Sequence, residues 1–319
     1  AANLASNPNY NSNSFKYVYS SLTTPSTIYS QSFSSDNKKK VWQQTFNNFE
    51  EKNYKTMRLW IKARDGQKIP VSLIYRKGVT LKSAPLLMYG YGSYGLIVEP
   101  SFKLSFLPLV DEGFIFAIAH IRGGQDLGRE WYDQGRMMNK MNTFFDFIDC
   151  TKGLHEKDLG NKEKTFAMGG SAGGLLMGAI INMEPTLYKG IVSAVPFVDV
   201  LTTMSDESIP LTTFEYKEWG NPSNRKEYFY IKKYSPYDNI ESKPYPSVLV
   251  TSSLFDSQVQ YFEPAKYVPK LREFSSSNNP ILLKMNLIGG HAGKSGRLES
   301  LKETAEELSF IAHLASRDH

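Results

Sequence analysis

Thr165-Phe166-Ala167-Met168-Gly169-Gly170-Ser171-Ala172-Gly173-Gly174 is the stretch on which the fold turns. An apolar run enters a Gly-x-Ser-x-Gly (Gly169, Ser171, Gly173), and an apolar helical pattern from Leu175 to Met183 leaves it. A chain that passes from strand to helix this quickly brings the two backbones almost into contact, and glycine tolerates that approach because it has no Cβ to collide. The serine between them is held in a strained geometry with its hydroxyl lifted out of the sheet. The first amides of the helix point to the place where an oxyanion would form. The motif alone is weak, since a flexible Gly-rich turn satisfies it equally well. The strand before it and the helix after it make Ser171 a candidate nucleophile.

The rest of the chain fits a large α/β domain. Its 319 residues, 41% of them hydrophobic, can bury a substantial core. A net charge of +5 with no basic block beyond Lys38-Lys39-Lys40 argues against a nucleic-acid partner. The single cysteine, Cys150, excludes an intrachain disulfide framework and fits a reducing, cytoplasmic compartment. No apolar run reaches membrane-spanning length, and no signal-peptide pattern is present, so no membrane partner is expected. The chain begins with Ala-Ala rather than Met, as expected of a processed or cut piece.

Residues 1–13 are rich in Asn and Ser and are expected to be poorly ordered. Phe15–Tyr19 and Thr27–Tyr29 read as short strands around the turn at Thr23-Thr24-Pro25, too little to stand alone. Residues 34–53 read as a polar linker. Tyr54–Ala63 and Lys68–Arg76 read as a hairpin around Asp65-Gly66. Buried strands are expected at Pro85–Tyr91, Phe114–His120, Thr165–Met168, Ile191–Val195, Ser247–Ser252 and Ile281–Leu287. Helices are expected at Asn142–His155, Leu175–Met183, Glu263–Phe274 and Leu298–Leu314. Strands alternating with helices predict a mostly parallel sheet covered on both faces, and together with the Gly169-x-Ser171-x-Gly173 turn they predict an α/β-hydrolase fold.

A serine needs a base beside it and a third group to orient that base. Of the five histidines, His319 is terminal, His313 lies in the last helix, His155 ends a helix where a cation suits the dipole, and His120 ends a strand. His291 sits in Ile288-Gly289-Gly290-His291-Ala292-Gly293, a small-residue loop after a strand, the adaptable position that a base requires. The acid of such folds lies between serine and histidine in sequence. Asp256 follows the strand Ser247–Ser252 and takes that place, with a helix-capping role as its alternative and Asp199 in reserve. The oxyanion would be held by the Ala172 amide and a second donor. Tyr89-Gly90-Tyr91-Gly92-Ser93-Tyr94-Gly95 follows an apolar strand and offers three tyrosines, among which the residues alone do not choose.

With these residues assembled, the chain resembles the oligopeptidase B branch of the prolyl oligopeptidase family of serine peptidases. The likeness runs through Tyr17-Val18-Tyr19-Ser20-Ser21-Leu22, the tyrosine-rich loop, His120-Ile121-Arg122-Gly123-Gly124 and Gly169–Gly174. It continues through Glu218-Trp219-Gly220-Asn221-Pro222, Asp256-Ser257-Gln258-Val259-Gln260-Tyr261 and Gly290–Arg297. It implies Ser171 as nucleophile, His291 as base, Asp256 as its orienter, and Tyr91 as oxyanion donor beside Ala172. It also implies a preference for Arg or Lys before the cut bond, read by two glutamates. Glu215 matches the first, and Lys217 stands where the second should be. A like charge near a cationic substrate group costs on the order of 1 kcal/mol or more, unless Lys217 turns away or pairs with Glu218. The acidic subsite for the preceding substrate residue would fall at Glu99, retained, and Ser101, changed. Residues 1–50 would be a remnant of a β-propeller blade with a linker, and residues 51–319 the catalytic domain. The expected activity is hydrolysis of small peptides by acyl transfer to water, with no metal and no cofactor. The rivals are an esterase or amidase on the same fold and a non-catalytic binding fragment.

Overall fold

The computed structural model describes residues 1–294 and 296–317, so Ser295 and His319 lie outside the described residues. Among the described residues, twelve strands form two sheets. The first comprises β1 (Ala2–Leu4), β2 (Ser14–Tyr19), β3 (Thr27–Ser32) and β4 (Lys38–Gln43), hydrogen-bonded in that order. The second contains β5 (Tyr54–Lys62), β6 (Lys68–Arg76), β7 (Leu86–Tyr89), β8 (Ile115–Ala119), β9 (Thr165–Gly170), β10 (Gly190–Ala194), β11 (Ser247–Ser253) and β12 (Ile281–Asn286). Its order is β12-β11-β10-β9-β7-β8-β6-β5. The β5–β6 and β6–β8 pairs are antiparallel and all the others are parallel. This is the α/β-hydrolase arrangement.

Alternate side chains of the central strands feed two cores. Leu86 and Met88 of β7, with Ile115 and Ala117 of β8, face one core; Leu87, Phe116 and Ile118 face the other. The helices Met141–Glu156, Ala172–Met183 and Phe262–Phe274 cover the first face, and Leu107–Asp111 and Arg297–Ser316 cover the second. Ala172–Met183 is buried all round, which explains why its apolar residues show no one-sided stripe.

Two sequence expectations fail in the N-terminal region. Residues 1–13 contain β1, paired with β2. Residues 34–53 contain β4, paired with β3 from Thr27–Gln43 to Gln31–Lys38. The lysines of β4 read as linker because they are charged, yet an edge strand needs only backbone pairing, and exposed Lys suits an edge that must not pair further. Lys38 places its ammonium 4.3 Å from the centre of the Tyr29 ring. The sequence reading also missed the short helices Val200–Ser205, Thr212–Trp219 and Arg225–Lys232. Among the described residues, no helix is long and apolar enough to cross a membrane.

Candidate active site

Because β7, β9, β11 and β12 run parallel, their carboxyl ends lie on one edge of the sheet, where open α/β sheets place their ligands. Tyr91, Ser171, Asp256 and His291 each follow one of these ends. Ser171 has φ 57° and ψ −118°, a strained conformation for a residue with a side chain. Its own amide donates to the Ala194 carbonyl at 2.8 Å, and its carbonyl accepts from Gly174 and Leu175. The turn requires glycine at 169, where a Cβ would lie 2.5 Å from the Gly173 carbonyl oxygen. Ala172 opens the helix, so its N–H has no intrahelical acceptor.

The Tyr91 hydroxyl faces the Ser171 hydroxyl. Burial pushes the Tyr91 phenol up to about 12, against the opposing effect of Ser171, and thus keeps its O–H intact as a donor at neutral pH. The other tyrosines of the loop are committed elsewhere. Tyr89 lines a cavity with Phe106 and Phe116 on the far face, and Tyr94 donates to Glu215 at 2.8 Å.

His291 is half-buried, and its Nδ1 lies 2.9 Å and 2.8 Å from the two oxygens of a fully buried Asp256 carboxylate. Asp256 Oδ1 also accepts the amides of Gln258 and Val259, each at 2.9 Å. The helix beyond begins only at Phe262, so Asp256 is not its cap. Asp199 is buried and ion-paired with Lys266 instead. His120 and His155 have partners of their own. His120 bridges Asp126 and Ser72, and His155 bonds Thr165. Burial lowers the His155 pKa, so it is held as a neutral imidazole and not as the helix-end cation expected from its position. His313 is exposed on the last helix.

A cavity of about 240 Å³ opens at Ser171 and is lined by Tyr91, Tyr94, Phe197, Trp219, Gln258 and Val259 among others. Ser171 thus shares its cavity with the two residues whose amides hold Asp256. Glu215 also lines it, and its Oε2 accepts both Tyr94 Oη and Trp219 Nε1 at 2.8 Å. Lys217, two residues on, is exposed and lies outside this lining, with its carbonyl accepting from Arg136 at 3.2 Å. Glu99 is exposed and outside it as well, and Ser101 lines the far-face cavity with Tyr89.

The polar layer behind this cavity is not legible in the sequence, because each member reads as an ordinary surface residue. Glu263 is buried at the start of its helix and accepts the amides of Val198 and Asp199 and the hydroxyl of Thr203, a lining residue. Glu218 accepts the Tyr94 amide at 2.9 Å and the Tyr132 hydroxyl at 2.5 Å. Lys140 is buried against the tyrosine loop. Among the described residues, no group of three or more His, Cys, Asp or Glu is placed to hold a metal ion.

Comparison with known proteins shows which family the chain falls in. Residues 100–317 match the model of the prolyl oligopeptidase family. Dipeptidyl aminopeptidase BI of Pseudoxanthomonas mexicana is 49% identical over 97% of this chain and 43% of its own length. Protease 2 of Moraxella lacunata is 45% identical over 96% of this chain and 45% of its own. The structure of oligopeptidase B from Leishmania major superimposes with a TM-score of 0.91 at 44% identity, over 96% of this chain and 43% of that one. The chain therefore spans less than half the length of these relatives. With most of its residues matched by the family model, and with Ser171 on the strand-to-helix turn of an α/β-hydrolase sheet, the chain belongs to the prolyl oligopeptidase family of serine peptidases.

Proposed function

We propose that this chain is the catalytic unit of a serine oligopeptidase that cleaves small peptides, with Ser171, Asp256 and His291 as its triad. The observation that carries the reading is the Asp256–His291 pair, seated on loops at the same sheet edge as a serine held at φ 57°. Asp256 fixes the imidazole with its Nδ1–H toward the carboxylate, leaving Nε2 as the base. His291 accepts the Ser171 proton as Oγ attacks the peptide carbonyl. The negative charge that develops on the carbonyl oxygen is held by the Tyr91 hydroxyl and the Ala172 amide. His291 then returns the proton to the leaving amine, and water hydrolyses the acyl-enzyme by the reverse sequence of transfers.

The carboxylate of Glu215 favours a basic residue before the cut bond. Two of its hydrogen bonds fall on Oε2, and among the described residues none falls on Oε1, which leaves an acceptor for a guanidinium or ammonium entering the cavity. Lys217 lies outside the lining and does not oppose that charge. Glu99 is a weaker candidate subsite, since it too stands outside. The four-stranded sheet is read as part of a propeller-like unit, because it is an antiparallel meander that shares no strand with the eight-stranded sheet, the form of a propeller blade.

A second reading is favoured by the 49% identity to a dipeptidyl aminopeptidase: release of dipeptides from a free amino terminus. Arg-containing chromogenic dipeptides with free and with blocked amino termini test both. Cleavage of the blocked substrate supports the oligopeptidase; cleavage of the free form alone supports the exopeptidase. Cleavage of simple acyl esters but of neither peptide would make the chain an esterase and overturn both.

A further inference from the structure

Lys140 is 1% exposed, at the junction between the 3-10 turn Met137–Asn139 and the helix Met141–Glu156. Its Nζ donates to the Gly92 carbonyl at 2.6 Å, to Ser93 Oγ at 2.8 Å and to the Gly135 carbonyl at 3.2 Å. An ammonium has three donors and here all three are used. Its other face lies 5.0 Å from the centre of the Trp219 ring. None of these three partners is a carboxylate, although a buried charge without one is costly. Burial accordingly lowers its pKa to about 8, opposed by the field of Glu218.

Such a charge is useful where several carbonyl oxygens must converge. Gly92 and Gly135 both crowd Gly123, where a Cβ would meet the Gly92 oxygen at 2.0 Å and the Gly135 oxygen at 3.0 Å. Gly92 itself has φ +70°, and a Cβ there would lie 2.4 Å from Thr143 Cγ2. The two carbonyl oxygens repel each other; the Thr143 hydroxyl reaches both, at 3.4 and 3.1 Å, but its single proton is shared with the nearer Arg122 carbonyl at 2.8 Å, and Lys140 supplies the charge that draws them together and supports the tight path from Tyr91 to Tyr94. Resting on the reading of Tyr91 as oxyanion donor, we infer that Lys140 is a positioning residue that clamps Gly92 and Ser93 and thereby fixes the Tyr91 hydroxyl over Ser171. It touches no reacting atom and acts on the rate through Tyr91.

A double-mutant cycle in kcat tests this, with Arg-based peptide substrates and the chain as it stands. Tyr91→Phe should lower kcat about 10²-fold, as removal of one oxyanion donor does. Lys140→Met should lower kcat about 10-fold or more with KM within about threefold, the mark of an effect confined to the transition state. The double variant should lie within about twofold of Tyr91→Phe, because the lysine has nothing left to position. Multiplying losses, or an unchanged kcat in Lys140→Met, would overturn the inference while leaving Tyr91 in its role. An unchanged kcat in Tyr91→Phe would instead overturn the oxyanion reading. Should Lys140→Met fail to fold, Ser93→Ala removes one clamp contact and keeps the charge. It should lower kcat about threefold or more in the Tyr91 protein and not in Tyr91→Phe; equal effects in both would reject the clamp.

Discussion

His291 is bonded to Asp256 and not to Ser171: Nδ1 meets both carboxylate oxygens, at 2.9 and 2.8 Å, while the serine hydroxyl faces Tyr91. The proposed mechanism therefore finds its Asp–His pair in hydrogen-bond contact and requires a serine–histidine bond to form as Oγ attacks the peptide carbonyl. Catalytic hydrogen bonds are often long in empty sites and tighten in the complex. The loop that carries His291 is rich in small residues, which suits such an adjustment.

Replacing Asp256 separates orientation from architecture. In Asp256→Asn the amide oxygen can still accept the Gln258 and Val259 amides, so the loop should keep its shape. The amide NH₂ then faces His291 and favours the wrong tautomer, and kcat should fall about 10⁴-fold with little change in Tm. A loss under about tenfold would mean that Asp256 only shapes the loop.

Glu215 and Lys217 should behave as opposites despite being neighbours. Glu215→Gln is expected to lower kcat/KM for Arg substrates by about 10-fold or more, since it removes the charge that a guanidinium would pair with at Oε1. Lys217→Glu should change the same quantity by less than about threefold, because an exposed charge outside the cavity is screened. A large gain from Lys217→Glu would place that side chain in the cavity in solution.

Glu263 predicts a pH-dependent stability. Burial raises its carboxyl from 4.5 to about 7, with Asp199 adding to the rise and the Thr203, Val198 and Asp199 hydrogen bonds opposing it. A carboxyl whose folded pKa is raised binds more protons folded than unfolded. Its contribution is fully present below about pH 4.5 and is lost as pH rises through about 7. The stability of the wild type relative to Glu263→Gln should therefore decline by on the order of 1–3 kcal/mol across that window. Urea melts of both proteins at several pH values measure it, and a flat difference would show that Glu263 is ionised throughout.

The sequence made the site legible where local chemistry was distinctive. Gly169-x-Ser171-x-Gly173 between strand and helix locates the turn, and the small-residue loop around His291 singles out the histidine that the structure pairs with Asp256. Which tyrosine faces Ser171 was not legible from composition. It depends on the path that Gly92 and Lys140 impose on the loop, and a lysine before a helix reads as solvent-exposed. The wall built from Thr212–Trp219 was equally hidden, since a short helix that buries Thr212, Glu218 and Trp219 leaves little apolar periodicity to detect. Residues 38–43 misled for the opposite reason: a lysine-rich edge strand has the composition of a linker.

The central claim is that His291 activates the Ser171 hydroxyl. Labelling by a fluorophosphonate, followed by intact mass and peptide mapping, measures it directly. The account predicts one adduct on Ser171 in the wild type, none in Ser171→Ala, and a labelling rate reduced about 10³-fold or more in His291→Ala. A folded wild type that takes no label, or a Ser171→Ala variant that labels at the wild-type rate, would contradict it.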